Sequence, residues 1–384
     1  MIRIVLVAVG YSRPDSMQSL LDSILRADYE NDQVDLVISF DKGMRQDEVV
    51  KVAETLDWQH GKKIIRKFEH RQGLRQHILQ CGDLTEQYDA VIVLEDDLNV
   101  SPGFYSYCKQ AIMFYGKDER IGGISLYSDE INQTVQRYFA PEPNGYDVYM
   151  MNLATSWGEC WTRRMWQDFR TWYAQAGEEL VRDSKIPENI VRWDNRSWLK
   201  YFDRFVIETN KYFIYPYWAL TTNCSDAGEH FAEKDSDYQI PLLSSTIKYR
   251  FPNFEDAVKY DAFHERLGLE NILSELKGNI VLDLNGGRTI IEQDADYLVS
   301  SQSLPYEVVR ELSLDRRPIE LNCVYPSAGK GLYVYDVHRP AKAPKKNEYY
   351  VARYDVRHLD WHLTLSHFCT MFLRSLKSHL KRKK

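Results

Sequence analysis

The stretch Ala90-Val91-Ile92-Val93-Leu94-Glu95-Asp96-Asp97 joins a short apolar run to three consecutive carboxylates. The run is long enough for one buried strand and too short for a typical helix. Three adjacent carboxylates cannot remain inside a core, because unpaired buried charge is too costly. The triplet is therefore expected to emerge at the carboxyl end of a strand, where open α/β sheets bind ligands. Crowded carboxylates repel one another unless a cation neutralises them, and oxygen-only ligands suit magnesium or manganese. The triplet alone leaves two readings open: a metal site for a phosphorylated substrate, or a solvated turn after a strand.

The flanking sequence alternates strand and helix patterns. Ile4 to Val9 is an apolar strand run, followed by the turn Gly10-Tyr11-Ser12-Arg13-Pro14-Asp15. Ser12 is placed to cap a helix, with Pro14 in the first turn and Asp15 at capping-box spacing. Met17, Leu20, Leu21, Ile24 and Leu25 then recur at helical spacing. Further strands are expected over Val34 to Phe40, Lys63 to Phe68 and Ile121 to Ser125. Helices are expected over Gln72 to Cys81, close to Arg71, Arg75 and His77, and from Pro102 onward. This alternation predicts an α/β fold with a mainly parallel central sheet and helices on both faces. No GxGxxG follows the first strand and no Walker loop occurs, so a nucleotide would be held by polar residues at strand ends.

Composition narrows the class. The 384 residues are 44% apolar and 27% charged, as in a globular chain with room for two domains. A net charge of -7 argues against a general nucleic-acid role. The six cysteines are scattered without metal-ligand spacing, which argues against zinc and a disulfide framework. The opening segment lacks signal-peptide features and no apolar run reaches about 18 residues, so a cytoplasmic location is expected.

The order of Ser12-Arg13-Pro14, Ser39-Phe40-Asp41 and Val93-Leu94-Glu95-Asp96-Asp97-Leu98 resembles the nucleotide-sugar-binding half of GT-A glycosyltransferases. The N-acetylglucosaminyltransferase I type and its bacterial relatives are the most similar. Ala154-Thr155-Ser156-Trp157-Gly158-Glu159-Cys160-Trp161 resembles the Ser-Trp-Gly segment of bacterial members. Trp193-Asp194 then opens a helical pattern with Trp198, Tyr201, Phe202, Phe205 and Val206 on one face, and Thr222-Asn223-Cys224-Ser225-Asp226-Ala227-Gly228-Glu229-His230 resembles the family's closing segment. The likeness spans roughly residues 1 to 240. It implies that Asp97 ligates Mn2+ or Mg2+, with Glu95 and Asp96 as supporting donor contacts. It further implies Asp41 at the nucleotide base and Gly10, Ser12 and Arg13 near the donor phosphates. Arg75, Trp157 and Gly158 fall in donor-contacting segments, His230 near the diphosphate or metal, and Asp194 at the catalytic carboxylate.

The residue types suit such chemistry. A divalent cation acts as a Lewis acid on a departing nucleoside diphosphate, and guanidinium groups grip phosphate oxygens. One carboxylate facing an acceptor hydroxyl serves as general base, which implies direct displacement with inversion. Glycoside hydrolysis generally uses two carboxylates. Structural roles compete with these: Asp41 as a turn residue, Asp194 as a helix cap, Arg13 paired with Asp15, and Gly158 relieving a tight turn. The donor would be a nucleotide sugar, with UDP implied by the resemblance, and the acceptor a glycan or lipid-linked glycan. Other metal-dependent phosphate enzymes and a non-catalytic glycan-binding protein remain as alternatives.

Residues 1–245 are expected to form the GT-A domain, 246–340 an accessory α/β or β-rich region, and 341–384 a linker and terminal helix. Within the accessory region, helical patterns are expected over Pro252 to Leu276. Strands are expected at Ile280 to Leu284, Tyr297 to Ser300, Ile319 to Val324 and Gly331 to Val337. Leu365, Phe368, Met371, Phe372, Leu376 and Leu380 recur at helical spacing beside Arg374, Lys377, Lys381, Arg382, Lys383 and Lys384. That combination suggests contact with an anionic membrane surface.

Overall fold

The apolar run Ile4–Gly10 forms β1, every residue of which is buried. The computed structural model describes residues 2–178, 180–224, 238–269, 272–356 and 360–381. After β1 come α1 (Pro14–Leu25), β2 (Asp35–Phe40), α2 (Gln46–Thr55), β3 (Lys63–Lys67), α3 (Leu74–Gly82) and β4 (Ala90–Glu95). A short strand β5 (Leu98–Val100), helix α4 (Phe104–Tyr115) and β6 (Ile121–Ser125) follow. The small hairpin β7 (Ile131–Asn132) and β8 (Arg137–Tyr138) leads to β9 (Val148–Met151), β10 (Glu159–Thr162) and α5 (Arg163–Tyr173). Next are α6 (Glu188–Arg192), α7 (Trp198–Glu208), β11 (Tyr212–Pro216), β12 (Thr221–Asn223) and β13 (Lys259–Tyr260).

The main sheet has nine strands in the order β13-β9-β11-β6-β10-β4-β1-β2-β3. β1 pairs in parallel with both β2 and β4, and β10 runs antiparallel between β4 and β6. Strands buried on both faces read as continuous apolar runs, which is why β1 and β4 were legible without alternation. The chain moves from β1 outward to β2 and β3, then returns to β4 on the other side of β1. With right-handed crossovers this reversal puts helices on both faces and opens a crevice at the carboxyl ends of β1 and β4.

A second sheet follows, built from β14 (Ile280–Asp283), β15 (Tyr297–Ser300), β16 (Tyr306–Ser313) and β17 (Gly331–Pro340) in the order β14-β15-β17-β16. The helices α8 (Leu321–Val324), α9 (Glu348–Asp355) and α10 (Trp361–Lys381) complete the described elements. Polar contacts join the two sheets. Tyr260 donates to Glu320 at 2.8 Å, the Asn285 N–H donates to Glu265 at 2.9 Å, and Arg137 pairs with Asp355 at 2.8 Å. Tyr249, Ala257, Val258 and Tyr260 are buried in the core of the first sheet. The main sheet therefore continues past residue 245.

Three local expectations are corrected. Ile319 to Val324 is not a strand; Leu321–Val324 is a single helical turn. The Asn322 side chain accepts from the Asp315 and Arg316 N–H groups at 2.9 Å and donates to the Ile319 carbonyl at 2.8 Å, closing a turn in place of a ladder. The described part of Pro252 to Leu276 contains the short strand β13 and turns, with no helix. There the Asp261 carboxylate accepts from the Phe263 and Glu265 N–H groups at 2.8 and 2.9 Å. Ser12 does not cap α1: the N-cap is Arg13, with no side-chain cap bond, although Pro14 does open the helix.

Beneath the crevice lies an aromatic core. Along α7, Trp198, Tyr201, Phe202, Phe205 and Val206 are buried, as the helical spacing predicts. Phe202 sits 4.3 Å from the Phe169 ring, 5.3 Å from Trp161 and 5.6 Å from both Phe205 and Phe213. Truncating so enclosed a ring removes burial and leaves a cavity. Phe202→Ala is expected to lower the unfolding free energy by roughly 3–5 kcal/mol, read from the shift in denaturant midpoint.

Candidate active site

The register Val9↔Glu95 brings the ends of β1 and β4 level. Residues leaving β1 therefore meet those leaving β4 at the crevice. Arg13 reaches across it, hydrogen-bonding to Asp96 and lying 3.4 Å from Asp97. Arg13, in the loop after β1, therefore pairs with the acidic triplet and not with Asp15.

The triplet does not emerge as a unit. Asp96 is buried, with one oxygen on Arg13 and the other without a protein partner. A buried carboxylate is tolerated here because it is paired; only unpaired charge is excluded from a core. Burial pushes Asp96 up to about 6, against the opposing pull of Arg13. Burial, then the charges of Asp97 and Asp96, push Glu95 up to about 8. For Arg13, burial acts downward, but Asp96 and Asp97 outweigh it and the guanidinium is raised. Asp97 reaches solvent, with its side chain 25% exposed, and Glu95 is also only half-buried by surface area. Glu159 on β10 is fully buried near Glu95, with one oxygen unpartnered, and burial raises it well above the usual carboxylate range.

Asp41 lies beside the same crevice, its N–H donating to the Gly10 carbonyl at 3.1 Å. Its carboxylate accepts from the N–H groups of Lys42 (2.7 Å), Gln72 (2.7 Å) and Gly73 (2.9 Å). It therefore ties the entrance of α3 to the end of β2. A Cβ on Gly10 would lie 2.5 Å from the Met17 methyl and 3.2 Å from the Phe40 ring, so the turn after β1 is tight. Ser12 is half-buried beside Arg13. Arg71, Arg75 and His77 point to three different places. Arg71 lies 5.2 Å over the Tyr11 ring, Arg75 donates to the Tyr201 hydroxyl at 2.9 Å, and His77 contacts Ser39 at 2.6 Å.

Helix α7 links the remaining parts. Its buried face carries Trp198 at the first position, and its Tyr201 hydroxyl receives Arg75. Asp203 accepts from the Ala154 N–H at 2.8 Å, which pins the loop carrying Trp157 and Gly158. Trp157 packs at 4.6 Å against both Tyr127 and Tyr238. Gly158 has φ +98, and a Cβ there would fall 2.8 Å from the Thr221 methyl. Glycine is required at that position on both counts. Asp194 neither opens nor caps α7, whose N-cap is Ser197 with its hydroxyl accepting from the Lys200 N–H; it lies in the preceding loop, fastened by the Lys200 side chain, which donates to the Trp193 carbonyl at 2.6 Å. Its carboxylate is 58% exposed and held by Arg196 through bonds of 3.0 and 3.1 Å. Arg196 keeps it below the usual carboxylate range.

Among the described residues no three His, Cys, Asp or Glu side chains are grouped to hold a metal. Such a group is unnecessary where a magnesium-type ion takes one or two carboxylates and draws its other oxygens from substrate phosphates and water. Asp97 fits that donor set, with Asp96 behind it. His230 lies outside the described residues. The preceding Cys224 N–H donates to the Asp97 carbonyl at 2.7 Å. A cleft of about 490 Å³ lies elsewhere, near the amino end of β11, among Arg182, Lys185, Arg204, Asp261 and Arg288. None of the expected site residues lines it. Glu159 and Asp203 were not singled out from sequence. Glu159 follows Trp157-Gly158 directly, but an acid in a strand pattern gives no sign of facing another acid from a neighbouring strand.

Comparisons with known proteins add likenesses of limited extent. A family model described as the SPBC1E8.03c C-terminal domain matches residues 12–176. No curated protein matches the chain. Among solved structures, the chain is similar to a mannosyltransferase, PcManGT from Pyrobaculum calidifontis, in complex with GDP-Man and Mn2+. The identity is 12% over 44% of this chain and 46% of that one, with a TM-score of 0.31. It is similar to S. aureus TarS 1-349 with UDP-GlcNAc, at 11% identity over 60% of each chain and a TM-score of 0.39. It is also similar to GalNAc-T7 with UDP, GalNAc and Mn2+, at 10% identity over 56% of this chain and 43% of that one, with a TM-score of 0.39. In each case the match spans less than two thirds of the other protein.

His77 provides a test of the site's electrostatics. Burial first, then the neighbouring Arg66 cation, lower it from 6.5 to about 4, with Asp41 opposing. The folded protein thus binds fewer protons than the unfolded chain between those values. The resulting stability is present above pH 6.5 and is lost as the pH falls toward 4. The wild type should lose about 2 kcal/mol more than His77→Gln between pH 7 and pH 5, measured by denaturant titration at each pH.

Proposed function

We propose that the protein is a GT-A-type glycosyltransferase. It would move a hexosyl group from a nucleotide sugar, with UDP as the nucleotide, to a glycan or lipid-linked glycan. The observation that carries this reading is Arg13 facing Asp96 and Asp97 at the point where strand order reverses. Open α/β sheets bind their ligands there, and the pairing places a phosphate-binding cation beside a solvent-reaching carboxylate. The ordered motifs Ser12-Arg13-Pro14, Asp41, Glu95-Asp96-Asp97 and Trp157-Gly158 support it further. An N-acetylglucosaminyltransferase I type of site remains the finer form of this proposal.

In this reading Asp97 would hold Mn2+ or Mg2+, an ion that supplies Lewis-acid stabilisation of the departing diphosphate. Arg13 would exchange part of its hold on Asp97 for diphosphate oxygens, a fork geometry for which guanidinium is suited. Asp41 acts through the loop it pins, fixing the Gln72 and Gly73 backbone at the nucleotide side of the crevice. Glu95 and Asp96 shape the donor pocket, while Gly158 allows the backbone to approach closely. Asp194 is ionised at neutral pH and accepts the proton of the acceptor hydroxyl. One base opposite the leaving group gives inversion at the anomeric carbon. The reaction would serve surface polysaccharide synthesis in the cytoplasm, at the inner face of the membrane.

Two substitutions separate the roles. Asp97→Asn should weaken metal-dependent UDP binding at least about tenfold, followed by calorimetry with and without Mn2+. Asp194→Asn should leave that affinity unchanged and lower transfer by roughly 10²–10⁴-fold in a panel of nucleotide sugars. Full transfer by the second variant would remove Asp194 as the base. Failure of the wild type to bind any nucleotide sugar would remove the donor site itself.

A further inference from the structure

We propose that α10 is a docking helix for a bilayer rich in anionic lipid, lying along its surface. Every side chain from Trp361 to Leu373 is exposed. Among them Trp361, Leu363, Leu365, Phe368, Met371, Phe372 and Leu373 are each at least 51% exposed. A run of large apolar side chains in solvent marks an interaction surface, and helices in proteins draw most of their stability from packing such a face. The helix has its own start signal: the Asp360 carboxylate accepts from the His362 and Leu363 N–H groups at 2.9 and 3.0 Å. By spacing, Trp361, Leu365, Phe368 and Phe372 share one face.

Charge selects the occupant. Residues 361–384 hold six Lys and Arg and no Asp or Glu, so the other residues carry a net -13. The acidic body of the protein would attract this segment, yet none of Trp361 to Leu373 is buried against it. Two copies packed through this helix would bring like charges together. Anionic headgroups complement the basic residues while the hydrocarbon boundary receives the Trp, Phe and Leu side chains. Among the described residues no helix is long and apolar enough to cross a membrane, in keeping with a helix that lies in the interface.

The surface stands apart from the donor-site reading and is tested separately. The full chain should co-sediment with vesicles of phosphatidylcholine and phosphatidylglycerol, and not with phosphatidylcholine alone. The pair Phe368→Glu/Phe372→Glu should reduce binding at least about tenfold. Replacing Arg374, Lys377 and Lys381 with Gln should reduce it on the order of a hundredfold, and added salt should weaken the wild type. Both variants should bind UDP and Mn2+ as the wild type does, so loss of docking is distinguishable from loss of the donor site. Absence of wild-type binding to the anionic vesicles overturns the proposal, as does undiminished binding by the Phe pair. A dimer that the Phe pair dissociates, without vesicle binding, would assign the face to a second copy.

Discussion

The bond between Arg13 and Asp96 is the constraint around which the crevice is organised. It spans the carboxyl ends of β1 and β4, the two strands between which the chain reverses direction in the sheet. Asp96 is buried with one oxygen unpartnered, so removing the guanidinium would leave an uncompensated charge, a loss of roughly 3–5 kcal/mol where pairs are buried. The same cation lies beside Asp97. A single side chain thereby holds the loop after β1, keeps the inner acid in place and leaves the outer acid accessible.

Helix α7 carries this order outward. Its apolar face is fixed by the rings around Phe202, and its polar atoms hold two separate segments. Tyr201 receives Arg75, and Asp203 anchors the loop that bears Trp157 and Gly158. Packing energy from the aromatic core is thus converted into the position of polar groups that have little cohesion of their own. Asp41 does the same on the other flank, where three backbone N–H groups converge on its carboxylate.

The first half of the fold was legible because each strand there is a continuous apolar run and each helix an amphipathic repeat. β6, β11 and β15 lie where the apolar runs are. Reading failed where side chains bond to nearby backbone. Asn322 turned a presumed strand into a helical turn, and Asp261 closed turns in a presumed helix. Asp194 shows a different limit. Its sequence context resembles a catalytic position, while its partner Arg196, two residues on, is exposed and local.

From the sequence alone came the mainly parallel α/β architecture, the acidic strand end and the apolar-basic pattern of α10. These depend on periodicity and on neighbours along the chain. The division of labour among Glu95, Asp96 and Asp97 depended on tertiary structure, because burial and the approach of Arg13 differ for adjacent residues. The same holds for Glu159, which pairs in register with Val93 and so comes near Glu95 only because β10 inserts beside β4. Charges interact through space across strand order, and strand order is not written in any single stretch of chain.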